Sequence, residues 1–177
     1  DLFTAHNEHR IFTARLLALA IFELNGRVWN PILQMQVNAV IHTFAISLLL
    51  FYLSKALSSA YKTALFIISA MLFAIPFGWE NTLAGFQSQF YFLLLFSFIH
   101  LWAMSAYKTY SARWWLGTIA GGLCLVTLAS GAVTVLAGSL ILMIRRIVIK
   151  DKDGTAITAI LLLLAMAGIG IALTPTI

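Results

Sequence analysis

The sequence predicts an all-α, polytopic transmembrane helix bundle, and three observations predict it. Of the 177 residues, 62% are hydrophobic and 10% charged, at a mean hydropathy of +0.96. A soluble domain is about half apolar and about a quarter charged, so this chain has too little polar side chain to cover a water-exposed surface. The second observation is six apolar stretches that approach the ~20 residues a helix needs to cross a hydrocarbon core of about 30 Å. The third is charge placement. Eight of the 11 Lys and Arg fall in three short groups between apolar stretches. With 3 Pro, 11 Gly and a single Cys, the same composition excludes a collagen repeat, a disordered chain and a disulfide scaffold.

The first helix expected is 11–24, which carries Arg15 and Glu23. It is too short to span comfortably, which predicts an interfacial or re-entrant helix, ended by the turn signal Asn25-Gly26. The six spans follow at about Pro31 to Leu53, Thr63 to Phe77, Phe90 to Tyr107, Trp114 to Leu128, Ala132 to Ile149 and Thr155 to Leu173. Backbone amides in lipid must be satisfied within their own segment, so these are helices. The fourth and fifth are separated only by Ala129-Ser130-Gly131. A single helix through both would far exceed one span even with tilt, so a hairpin is expected there.

Lys55 with Lys62, Lys108 with Arg113, and the group Arg145, Arg146, Lys150 and Lys152 occupy alternate loops. The positive-inside rule puts these loops in the cytoplasm and the other connections outside an inner membrane. Trp29, Trp79, Trp114 and Trp115 fall near expected helix ends, where interfacial aromatics belong. Membrane lipid is therefore the expected partner; the formal charge of +5 is orientation information and not a sign of nucleic acid. The chain reads as one transmembrane domain over 1–177, an outer-face segment 1–30 followed by a bundle 31–177. It begins at Asp1 with no readable signal peptide and stops soon after an apolar stretch, which predicts a fragment of a longer protein.

Polar residues that are costly near lipid gather in two outer-face patches. One is His6-Asn7-Glu8-His9-Arg10, followed by Asn25, Arg27 and Asn30; the other is Trp79-Glu80-Asn81, continuing to Gln87-Ser88-Gln89. Carboxylate and imidazole suit Glu8, His6 and His9 to general-base duty or to a divalent metal, with a solvated ion-paired cap as the alternative. Glu80, Asn81, Gln87 and Gln89 suit either a polar substrate such as a sugar or interhelical hydrogen bonding. Gln34, Asn38 and His42 recur every four residues and share one helical face, which predicts interhelical bonding, with substrate contact the alternative. His100 reads as a satisfied core histidine. Gly117, Gly121, Gly122, Gly131 and Gly138 predict close helix packing. No span has a charge at its middle, which argues against an ion-coupled pump.

The runs His6-Asn7-Glu8-His9-Arg10-Ile11-Phe12, with Arg15-Leu16-Leu17 after it, and Trp79-Glu80-Asn81-Thr82-Leu83-x-Gly85-Phe86-Gln87-x-Gln89-Phe90 carry a resemblance. They resemble an uncharacterised family of bacterial polytopic membrane proteins, which is itself similar to the integral-membrane glycosyltransferases of the C-type fold. The resemblance implies transfer of a sugar from a polyprenyl-phosphate-linked donor on the outer face, with inversion at the anomeric carbon. Glu8 then matches the acidic residue that activates the acceptor or holds a metal, with His6, His9 and Arg10 as neighbours of the phosphate. Glu80, Asn81, Gln87 and Gln89 match sugar-binding positions. Two departures stand: that fold has more than six helices, and its acidic motif is Asp-based. The competing classes are a carrier or flippase for a lipid-linked solute and a non-catalytic membrane assembly subunit.

Overall fold

The computed structural model of the chain describes Leu2 and residues 11–75, 87–148 and 154–174. Among these residues the chain is entirely helical: α1 (Phe12–Leu24), α2 (Pro31–Lys55), α3 (Ser59–Ala74), α4 (Ser88–Ala106), α5 (Ala112–Thr127), α6 (Gly131–Ile147) and α7 (Ala156–Ala172).

Local chemistry sets the helix ends. α1 stops where Gly26 and Arg27 take left-handed backbone angles, φ +68° and +63°. A bulky residue there is strained, and two contacts hold the turn: Asn25 Nδ2 donates to the Val28 carbonyl at 2.7 Å, and Arg27 Nε donates to Glu23 at 3.0 Å. α2 begins with Pro31 behind the N-cap Asn30, whose Oδ1 accepts from the Leu33 amide at 3.1 Å. Ser111 caps α5 in the same way, accepting from the Trp114 amide. The α5–α6 turn requires Gly131, because a Cβ there would overlap the Cys124 carbonyl. The pair is thus a hairpin of two helices.

At 1.5 Å of rise per residue, α2 with 25 residues is about 38 Å long and α4 with 19 is about 29 Å. These two are long and apolar enough to cross a membrane; α3 and α7 are apolar but shorter. The expectation of six full spans is therefore met on length and composition by two helices. α3 and α5 have 16 residues, α6 and α7 have 17. The difference is one of length: the expected stretches at Thr63 to Phe77 and Trp114 to Leu128 are themselves short of the ~20 residues a full span needs, and the helices that form there extend them only slightly.

α4 is the hub, packed against α1, α2, α5 and α6, while α7 packs mainly on α6. The core is built from Ala103 and Met104 of α4, Trp114 of α5, Val135 and Leu142 of α6, and Ala159, Leu163 and Ala167 of α7. α3 stands apart. Among the described helices it packs only on α2, and Phe66, Ile67, Ile68, Met71, Leu72 and Phe73 are all exposed.

Two ring pairs fix the register of α2 and α4 and show that they run parallel. His42 stacks on Tyr91 at 4.5 Å, and Tyr52 lies against Trp102 at 4.2 Å. At the Tyr52 end, Arg145 Nη1 donates to the Met104 and Tyr107 carbonyls at 2.8 Å each. Thr109 and Thr155 share a hydroxyl hydrogen bond of 2.9 Å across the α4–α5 and α6–α7 connections. These contacts gather Lys55, Lys108, Arg113, Arg145 and Arg146 at one end of the bundle. α1 lies at the other end, where the Thr13 and Thr127 hydroxyls hydrogen-bond at 3.0 Å and α1 covers Phe92, Phe96 and Leu123.

Candidate functional site

Polar groups concentrate at the end away from the basic cluster, on α2 and the start of α4. Gln34 and Asn38 are both 1% exposed, and Gln34 Nε2 donates to Asn38 Oδ1 at 3.4 Å. The spacing of four that puts them on one face also lets them bond within the helix. One turn further, His42 makes the cross-helix contact: its ring stacks on Tyr91 and meets the edge of Phe73 of α3 at 5.5 Å. Because α2 and α4 are parallel with His42 level with Tyr91, Asn38 is level with Gln87 and Ser88, one turn earlier on each helix.

At that level Gln89 Nε2 donates to Gln87 Oε1 at 3.0 Å. Among the described residues, three buried oxygens here have no hydrogen-bond partner: Gln34 Oε1, Ser88 Oγ and Gln89 Oε1. A buried polar oxygen without a partner loses about 1–3 kcal/mol relative to water, so these oxygens can accept hydrogen bonds from donors that reach this end.

Beside the cluster, α2 and α3 enclose a cavity of about 380 Å³. His42, Thr43, Ser47 and Ser69 place polar atoms on its walls; Ile46, Leu50, Phe66 and Phe73 make the rest apolar. Among the described helices α3 packs only on α2, so no described helix closes the cavity from the far side of α3. It suits a molecule with a polar head and an apolar tail, entering from the flank of the bundle.

Of the residues expected to form the site, Gln87 and Gln89 stand together at the start of α4, and the Gln34, Asn38 and His42 stripe reaches the same level. Glu8, His6, His9, Arg10, Glu80 and Asn81 lie outside the described residues. Among the described residues no three His, Cys, Asp or Glu side chains gather as metal ligands. The sequence reading missed Ser69, Tyr91, Thr43 and Ser47. Ser69 had a signal, as the lone hydroxyl within Leu65 to Ala74 of α3; Tyr91 had none, because only the α2–α4 register brings it to His42.

His100 lies in the core as expected, fully buried, with Nδ1 2.9 Å from the Gly117 carbonyl. Gly121 and Gly138 flank its ring so closely that a Cβ on either would collide with the imidazole. Comparison of the chain with protein-family models, with curated proteins and with solved structures yields no match.

Proposed function

We propose that this chain is an integral membrane protein in which α2 to α7 cross the bilayer, the basic end faces the cytoplasm, and the amide-rich end faces outward. The shorter helices are accommodated by local thinning of the bilayer and by Lys and Arg side chains reaching to the headgroups. At the outer end the protein holds the polar head of a lipid-linked substrate, its apolar tail lying along the α2–α3 flank. The motif resemblance assigns the activity: glycosyltransferase-like transfer of a sugar from a polyprenyl-phosphate donor. Glu8 serves as the base, His6, His9 and Arg10 bind the phosphate, and Glu80, Asn81, Gln87 and Gln89 bind the sugar.

One observation carries the reading. Among the described residues the buried oxygens of Gln34, Ser88 and Gln89 have no partner, and two turns along α2 from Gln34, beginning at His42, a cavity with mixed polar and apolar walls lies between α2 and α3. Amide oxygens accept from sugar hydroxyls, and the lateral opening gives a lipid tail a way in.

Turnover of a polyprenyl-phosphate-linked sugar in membranes carrying the protein tests it, with wild type beside Glu8→Gln, Glu80→Gln and Gln89→Leu. The expected result is turnover in wild type and a loss of at least about a hundredfold in Glu8→Gln at unchanged membrane levels, the usual scale of a general base. Turnover retained in Glu8→Gln removes that residue from the mechanism. Absence of turnover in wild type overturns the transferase reading and favours a carrier of lipid-linked solutes or a non-catalytic assembly subunit.

A further inference from the structure

A second cavity lies at the opposite, basic end, between α2, α4 and α5, with a volume of about 260 Å³. Its inner wall is apolar and aromatic: Leu48 and Tyr52 of α2, Phe98 and Trp102 of α4, and Leu116 of α5. Its rim is cationic. Arg113 lines it directly, with its guanidinium 5.3 Å from the Tyr107 ring centroid. Lys55 Nζ sits 4.3 Å and 4.7 Å from the rings of Phe51 and Tyr52. Lys108 is in the α4–α5 connection beside it.

Three features say what chemistry this rim lacks. Glu23 is the sole acid among the described residues, and it is at the far end, paired with Arg27. Trp102 lines the cavity and its buried indole Nε1–H has no acceptor among the described residues. The N-terminus of α5, whose dipole favours negative charge, begins at Ala112, next to Arg113. A guanidinium with no carboxylate and an indole N–H with no acceptor among the described residues, beside a helix N-terminus, all suit an anion. The apolar cleft behind them calls for a hydrocarbon chain. Leu116 and Arg113 are exposed, so the cleft is reached from the flank, at the level where Tyr52, Trp102, Tyr110 and Trp115 form a band of interfacial aromatics.

We infer that this cleft is a binding site for an anionic phospholipid, with the phosphate on Arg113 and the Trp102 indole N–H and one acyl chain along Tyr52, Phe98 and Leu116. Arg113 supplies two parallel donors to a phosphate, a geometry a lysine does not offer. The site lies between α2, α4 and α5, whereas the substrate cavity proposed above lies between α2 and α3, and it makes no use of Glu8, Gln87 or Gln89, so either reading can fail while the other stands. Asp151 and Asp153 fall between α6 and α7 in the sequence, outside the described residues.

The test is lipid retention by native mass spectrometry and by exchange from nanodiscs. The whole chain is titrated with phosphatidylglycerol, with phosphatidylcholine as the zwitterionic control and inorganic phosphate as the headgroup alone. Wild type is expected to retain one phosphatidylglycerol at least about tenfold more tightly than phosphatidylcholine, and inorganic phosphate is expected not to displace it. Arg113→Gln is expected to weaken retention about tenfold, the worth of a charge-assisted hydrogen bond. Arg113→Lys should restore only part of it, Trp102→Phe should weaken it several-fold, and Lys62→Gln should change it less than about fivefold. Equal weakening by Arg113→Gln and Lys62→Gln would reduce the effect to diffuse surface attraction and overturn the site. So would equal retention of both lipids, or displacement by inorganic phosphate. A tenfold or greater gain in the Asp151→Asn/Asp153→Asn chain would show that the chain's own carboxylates fill the rim, which also overturns it.

Discussion

The imidazole of His100 donates from Nδ1 to the main-chain carbonyl of Gly117 across 2.9 Å, joining the middle of α4 to the middle of α5. A carbonyl can only accept, so Nδ1 carries the hydrogen, and Nε2 has no partner among the described residues. That Nε2 is buried against α6, where Gly138 leaves room for it. Three helices therefore approach through one aromatic-sized wedge, made possible by glycines on both sides.

Packing at this wedge predicts unequal glycine substitutions. A Cβ at Gly138 would overlap His100 Nε2, and one at Gly121 would lie 2.7 Å from Nδ1. Gly138→Ala and Gly121→Ala are expected to destabilise the bundle by about 1–3 kcal/mol each. Gly168→Ala, whose Cβ would meet nothing within 4 Å, is expected to be neutral or to stabilise by up to about 1 kcal/mol. Thermal unfolding of the detergent-solubilised chain ranks the three; an equal effect at Gly138 and Gly168 would refute the close approach.

The same wedge predicts non-additivity. His100→Ala removes a fully buried side chain and should cost about 2–4 kcal/mol. In the His100→Ala/Gly138→Ala double variant the added methyl enters the vacated space, so the pair is expected to be less destabilised than the sum by at least about 1 kcal/mol. A double-mutant cycle on unfolding midpoints reads this directly, and strict additivity would mean that the two residues do not touch.

Arg145 ties the end of α6 to the end of α4 through the Met104 and Tyr107 carbonyls. These carbonyls belong to the last turn of α4, where intrahelical donors run out. Arg145→Gln is expected to destabilise by about 1–3 kcal/mol and to raise hydrogen exchange in the 104–112 segment more than in α2. Uniform exchange across the chain in that variant would count against the tie.

The proposed orientation predicts one-sided labelling. In a Cys124→Ala background, which removes a buried native thiol, Ser130→Cys should react with an impermeant maleimide added outside intact cells. Lys108→Cys and Lys62→Cys should react only after the membrane is opened. The reverse pattern would invert the bundle, and labelling of all three from outside would defeat the assignment of α2 to α7 as spans.

How much was legible in the sequence follows from what each feature depends on. Helix positions depend on local apolar runs and caps, so Pro31 with Asn30 behind it marks the start of α2, and Asn25-Gly26 ends α1. The Gln34, Asn38 and His42 spacing announced a buried face because a helix repeats every 3.6 residues. Nothing local announced that Gln34 would bond Asn38 within its own helix, or that His42 would meet Tyr91. Those outcomes depend on how far α2 slides along α4. The number of full spans was not legible for a different reason: hydropathy marks where an apolar helix forms, whereas crossing a bilayer needs about 20 residues of helical rise, which α2 alone comfortably exceeds and α4 nearly meets.

Composition and order along the chain thus determined the helical class, the places of the helices and the alternation of basic and polar connections, because each rests on neighbours within a few residues. The tertiary structure decided which polar groups share an end, which cavity forms between α2 and α3, and why His100 needs Gly121 and Gly138. Those are contacts between segments distant in sequence, set by the complementary shapes of facing helices, and no local pattern encodes them.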